Sequence, residues 1–212
     1  MADNLFEQWR LLQHPDQSED EVLLVLKEHI KNLAQPEQEL FLTDLLNSGL
    51  SGDELALEAL QEIATPQQRE IIANATTELL NQEPEVEEAF KLPYFIRILL
   101  ATPGSEHEEL LKKYFLEYPM GTWWDIPNQL YDRSQSIFLK AYARYLETLS
   151  QNDVVHFHGI TRLIYVPKAL KFLVKNLPPE LRPLLKAFAK SRAKQKWLPE
   201  EIRQMLTEIA NS

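Results

Sequence analysis

The 212-residue sequence predicts an all-α protein of stacked helical hairpins, built as an α-solenoid-like array or an irregular helical bundle of about 10–12 helices. Three observations predict it. Capping boxes recur along the chain, apolar residues repeat every three or four positions between them, and the helix starts fall at a regular interval. Helix is therefore expected over more than roughly 60% of the chain, against a usual share of about a third.

The capping boxes are Ser18-x-x-Glu21, Ser51-x-x-Glu54, Thr65-x-x-Gln68 and Ser105-x-x-Glu108. In each, the hydroxyl can accept from the N3 amide while the N3 side chain reaches back to the cap. Pro66 after Thr65 suits a first helical position, where its missing N–H would find no partner. Gly49 after Leu45-Leu46 reads as a helix stop. Val22, Leu26, Ile30 and Leu33 form one apolar stripe, and Ile71, Ala75 and Leu79 another.

These signals place helices near 4–13, 19–34, 37–48, 53–63, 67–81, 85–100, 105–118, 128–149, 154–165, 168–176, 180–195 and 199–210. Residues 153–166 are the strongest strand candidate, being rich in β-branched side chains. Helix is preferred there, with Asp153 as cap, because a lone hairpin would have no sheet to join. Starts near 19, 37, 53, 67 and 85 lie 14 to 18 residues apart, so a helix pair spans about 30–35 residues, the size of an α-solenoid unit. The residue signatures of the tetratricopeptide-like families do not appear.

An irregular aromatic stretch, 119–127, separates an acidic helical array over 1–118 from a helical part over 128–212. Trp123 and Trp124 stand at its centre, with Tyr114, Phe115, Tyr118 and Tyr131 nearby. They read as a plug between helical layers or as an anchor for a partner.

Charge is the sharpest asymmetry. Residues 1–158 carry 28 acidic and 11 basic side chains, whereas 159–197 carry ten basic ones and a single acidic one, Glu180; the whole chain stands at −10. The basic segment is amphipathic. Lys168, Lys171 and Lys175 lie opposite Leu170, Leu173, Val174 and Leu177. Arg182, Lys186 and Lys190 lie opposite Leu181, Leu184, Leu185 and Phe188. The apolar set is expected in a core, with Lys186, Lys190, Arg192, Lys194 and Lys196 in water. Such a face can meet an acidic protein, nucleic acid phosphates, an anionic membrane surface or the chain's own acidic part.

Chemistry-bearing patterns are sparse. The chain has no cysteine and five glycines, so thiol chemistry, Cys-ligated metals and glycine-rich phosphate loops find no residues. His156-x-His158 would share a face on a strand but diverge by about 200° on a helix, so no metal is expected there. Glu85-x-x-Glu88 and Glu106-x-x-Glu109 fall in predicted first turns, where carboxylates complement the helix dipole. The first residues lack a secretory pattern, and no run of 18 apolar residues occurs.

The expectation is a cytoplasmic, non-enzymatic interaction or adaptor protein without a cofactor. Its partner is expected to be another protein, met through Lys186, Lys190, Arg192, Lys194, Lys196, Trp123 and Trp124. One rival is a nucleic-acid-associated regulator using residues 168–196. The other is a helical enzyme or small-ligand carrier with a pocket near Trp123, Trp124 and His156.

Overall fold

The computed structural model describes residues 4–13, 17–82, 90–101, 106–117, 126–148, 164 and 166–212. Of these residues 81% are helical, and none forms a strand. Twelve helices are described: α1 (Leu5–Leu11), α2 (Glu19–Asn32), α3 (Gln35–Ser51), α4 (Glu54–Ile63), α5 (Pro66–Asn81), α6 (Lys91–Leu100), α7 (Glu108–Glu117), α8 (Ile126–Arg133), α9 (Gln135–Glu147), α10 (Pro167–Asn176), α11 (Arg182–Arg192) and α12 (Glu200–Asn211). The chain divides into two compact units, residues 1–110 and 111–212, and the division falls within α7.

In the first unit each helix packs on the one two places along. α1 meets α3 and α3 meets α5, while α2 meets α4 and α4 meets α6. The two rows are joined through α2–α3, α3–α4 and α5–α6. The shared core holds Phe6, Leu26, Phe41, Leu45, Leu57 and Leu60, all at most 1% exposed. Phe6, Trp9, His29 and Phe41 form an aromatic cluster, with His29 edge-on to Phe41 at 5.2 Å between ring centres.

Two of the capping boxes stand as expected. Ser18 Oγ accepts from the Glu21 amide while the Glu21 carboxylate accepts from the Ser18 amide at 2.9 Å; Thr65 and Gln68 do the same. The box at Ser51 does not form. α3 runs on through Ser51, and Asp53 caps α4 instead, its carboxylate accepting from the Ala56 amide at 2.9 Å. A carboxylate next to the helix start replaces a hydroxyl two residues earlier. Ser105 lies outside the described residues.

Gly49 is not the stop that the sequence suggests. It is helical and buried, and a Cβ there would lie 2.8 Å from a Leu60 methyl carbon, so its lack of a side chain lets α3 close on α4. Gly52, at φ 103°, is the left-handed cap. On α5 the buried face is Gln68, Ile72 and Thr76, turned away from the predicted Ile71, Ala75 and Leu79; Ile71 is 40% exposed. The shift follows from Gln68, which must lie inward for its amide nitrogen to donate to Leu42 O at 2.8 Å. Arg69 then reaches across to donate to Ala64 O and Ile98 O, joining the ends of α4 and α6 to α5.

In the second unit α8 packs on α9 and α10, and α12 packs on α10 and α11. The helix expected over 128–149 is two helices. Ser134 is extended, at φ −154°, and its hydroxyl caps α9 by accepting from the Ile137 amide. The break lets Tyr131 turn edge-on to both Phe138 and Phe172, at 5.4 and 5.5 Å. Tyr142 is buried beside Phe138, and desolvation pushes its phenol far above the ordinary range. The expected helix over 154–165 falls outside the described residues, apart from Ile164, which is buried.

Candidate partner-binding surface

The basic segment builds its surface from the inside out. In α10 Ala169, Leu170 and Leu173 are wholly buried, and Leu177 follows them into the core. Lys168, Lys171 and Lys175 are exposed on the other side. In α11 Leu185 and Phe188 are buried at 1% and 0%, with Leu181 at 6%, while Leu184 stays half-buried. Each leucine or phenylalanine so buried contributes about 1.5–3 kcal/mol, and that fixes which way the lysines face.

The cations that follow are not equivalent. Lys190, Lys194 and Lys196 are exposed. None of the three makes an ion pair among the described residues. Lys186 is half-buried and donates to Ser212 O at 2.5 Å, which ties the middle of α11 to the end of α12. Arg192, expected in water, is also half-buried; its guanidinium lies 5.7 Å from the centre of the Phe188 ring. A flat, weakly hydrated cation is suited to that face. Lys190 and Arg192 also sit in the last turn of α11, where positive charge offsets the helix dipole.

Between α11 and α12 the chain makes a tight turn. Ala193 N–H donates to Ala189 O, Gln195 N–H to Arg192 O and Leu198 N–H to Gln195 O. Leu198, 2% exposed, anchors the turn, and Pro199 starts α12. Fixing Leu198 inward leaves Lys194, Lys196 and Trp197 outward. Trp197 is 58% exposed, the one large apolar side chain so exposed among the described residues of the second unit. Trp197 is not among the binding residues that the charge pattern picks out. Its one signal in the sequence is its place at the end of the lysine run, directly after Lys196 and just beyond an amphipathic helix.

Beside this turn an open hollow is lined by Ala193, Glu200, Arg203, Gln204, Thr207 and Glu208. Glu200 and Arg203 face each other there at 3.8 Å. Trp123, Trp124, His156 and His158 lie outside the described residues, and with them the pocket considered near Trp123, Trp124 and His156. Among the described residues no group of three or more histidines and carboxylates is placed to hold a metal ion. No helix among them is long and apolar enough to cross a membrane.

Charge separates between the two units. Residues 1–110 carry 23 acidic and 6 basic side chains, a net −17; residues 111–212 carry 16 basic and 9 acidic, a net +7. No protein-family model, no curated protein and no solved structure matches the chain.

Proposed function

We propose that the chain is a non-enzymatic helical interaction protein, of helical-repeat type in its first unit, whose basic turn binds an acidic segment of a protein partner in the cytoplasm. The observation that carries this reading is the turn itself: Lys194, Lys196 and Trp197 are all exposed on it, and Lys190 is exposed at the end of the preceding helix. Tryptophan dominates protein interface hot spots, and flanking ammonium groups select a partner bearing carboxylates. Arg192, over the Phe188 ring at the end of α11, adds charge beside the turn, and Lys186 adds charge further back along the same helix.

Nucleic acid is the second reading, because the same lysines could neutralise phosphates. A titration decides. The full chain is titrated with polyglutamate and with a single-stranded oligonucleotide of equal charge, across a salt series. The proposal expects tighter binding of polyglutamate, lost in Trp197→Ala. Preference for the oligonucleotide, with a log–log salt slope of about −0.7 per phosphate neutralised, would favour the second reading. Binding of neither would refute both.

A further inference from the structure

The large exposed apolar side chains are unevenly divided. Among the described residues Trp197 belongs to the second unit, whereas Leu11, Leu12, Leu24, Val25, Leu40, Ile71 and Phe90 belong to the first. The outer face of α2 is the most ordered of these sites. Helical spacing brings Asp20, Glu21, Leu24, Val25 and Glu28 to one side, and all five are exposed. Leu26 and Ile30 take the opposite side into the core. Leu24 is 61% exposed and Val25 39%, so apolar area lies at the centre with carboxylates around it. Glu28 has Lys31 at 2.7 Å, so Asp20 and Glu21 carry most of the charge.

This face is the chemical counterpart of the basic turn. One presents two exposed aliphatic side chains with Asp20, Glu21 and Glu28 on the same side of the helix, the other an exposed indole in a chain segment that also exposes Lys194 and Lys196. From Asp20 to Glu28 the helix rises about 12 Å. Resting on the reading of the turn as a site for acidic protein, we infer that its occupant is a second copy of this chain, docked through the outer face of α2. The contact joins two different surfaces. It is therefore heterologous, and it propagates head to tail unless a ring closes. Two side-chain clusters of this size cover less than the roughly 1,200 Å² of a stable interface, so the association is weak and reversible.

Sedimentation equilibrium of the full chain tests this. The weight-average mass is expected to rise with concentration past that of a dimer. The rise should weaken at least tenfold in association constant as salt goes from about 0.1 to 1 M and the screening length falls from about 10 to 3 Å. Two charge-reversed chains give the sharper result. Asp20→Lys with Glu28→Lys, and Lys194→Glu with Lys196→Glu, are each expected to remain monomeric alone. Mixed in equal amounts they should associate again, because each then meets a complementary surface. Leu24→Ser and Trp197→Ser, at exposed positions, should each abolish the association with the melting curve unchanged, which covers the case of a reversed chain that folds poorly. A chain that stays monomeric at every concentration yet binds polyglutamate through Trp197 would overturn the inference and leave the proposed function standing. Self-association that survives Trp197→Ser and both reversals would overturn the inference as well. A monomer that binds no polyglutamate would overturn both.

Discussion

Replacing Gln68 should unfasten the first unit at one identifiable place. Gln68 is 7% exposed. Its Oε1 accepts from the Thr65 amide at 2.9 Å and its Nε2 donates to Leu42 O at 2.8 Å, so one side chain both caps α5 and ties it to α3. Each bond contributes about 1 kcal/mol net, and truncation also leaves a cavity. Gln68→Ala is therefore expected to cost about 2–3 kcal/mol. Gln68→Glu divides the two bonds. A carboxylate still accepts from Thr65 but stands against the Leu42 carbonyl with no proton to give. Burial against an acceptor raises the carboxyl's folded pKa above its unfolded value. Its stability relative to wild type is thus greatest below the unfolded value of about 4.3, where the protonated form can donate, and is lost as pH rises from there through the raised folded value. Urea unfolding followed by far-ultraviolet circular dichroism measures both, with the denaturant slope unchanged. Gln67→Ala, exposed one position earlier, is the control and should stay within about 0.5 kcal/mol. A loss from Gln68→Ala no larger than that of the control would refute the reasoning.

Other expectations follow from the same geometry. Gly52→Ala should cost about 1–2 kcal/mol by denaturant unfolding, because φ 103° disfavours any side chain and the new Cβ would lie 2.9 Å from the Phe90 ring. The Glu21 carboxyl should titrate below the ordinary carboxylate range, held down first by the Ser18 amide and then by its hydroxyl. That contribution to stability is present above the unfolded pKa and is lost as pH falls through the folded one; carboxyl-carbon NMR of wild type and Ser18→Ala measures the shift and its partial return. Desolvation raises the Tyr142 phenol, so ultraviolet titration should show it ionising only when the second unit unfolds. Lys190→Gln, Lys194→Gln and Lys196→Gln combined should leave the melting temperature nearly unchanged, since exposed charges contribute about 0–1 kcal/mol each, while polyglutamate binding becomes weak and insensitive to salt.

The sequence was most legible where one residue does one local job. Ser18, Thr65 and Pro66 start helices by chemistry confined to a single turn, and the structure keeps them where they are expected. The apolar stripe of α10 was equally plain, because its lysines admit one orientation alone. Legibility failed where distant partners decide. Gly49 reads as a stop until Leu60 occupies the space its missing Cβ leaves. The inward face of α5 is chosen by the Leu42 carbonyl, 26 residues earlier in the chain, over the more apolar Ile71. Arg192 reads as a surface cation until Phe188 offers it a ring. At the candidate site the lysines were visible as a charge run. Trp197 was not, because its exposure depends on Leu198 being the residue that anchors the turn.

The indole N–H of Trp197 gives the most direct measurement of the central claim, that the basic turn is a binding surface for acidic protein. It is one of four tryptophan resonances in the chain, and Trp197→Phe assigns it in a single comparison. Adding polyglutamate to the nitrogen-15-labelled full chain should shift this resonance and the backbone amides of Lys194 and Lys196 together, with one saturation curve, while the amides around Gln68 stay in place. Saturable shifts confined to other parts of the chain, with the Trp197 indole unmoved, would contradict the account.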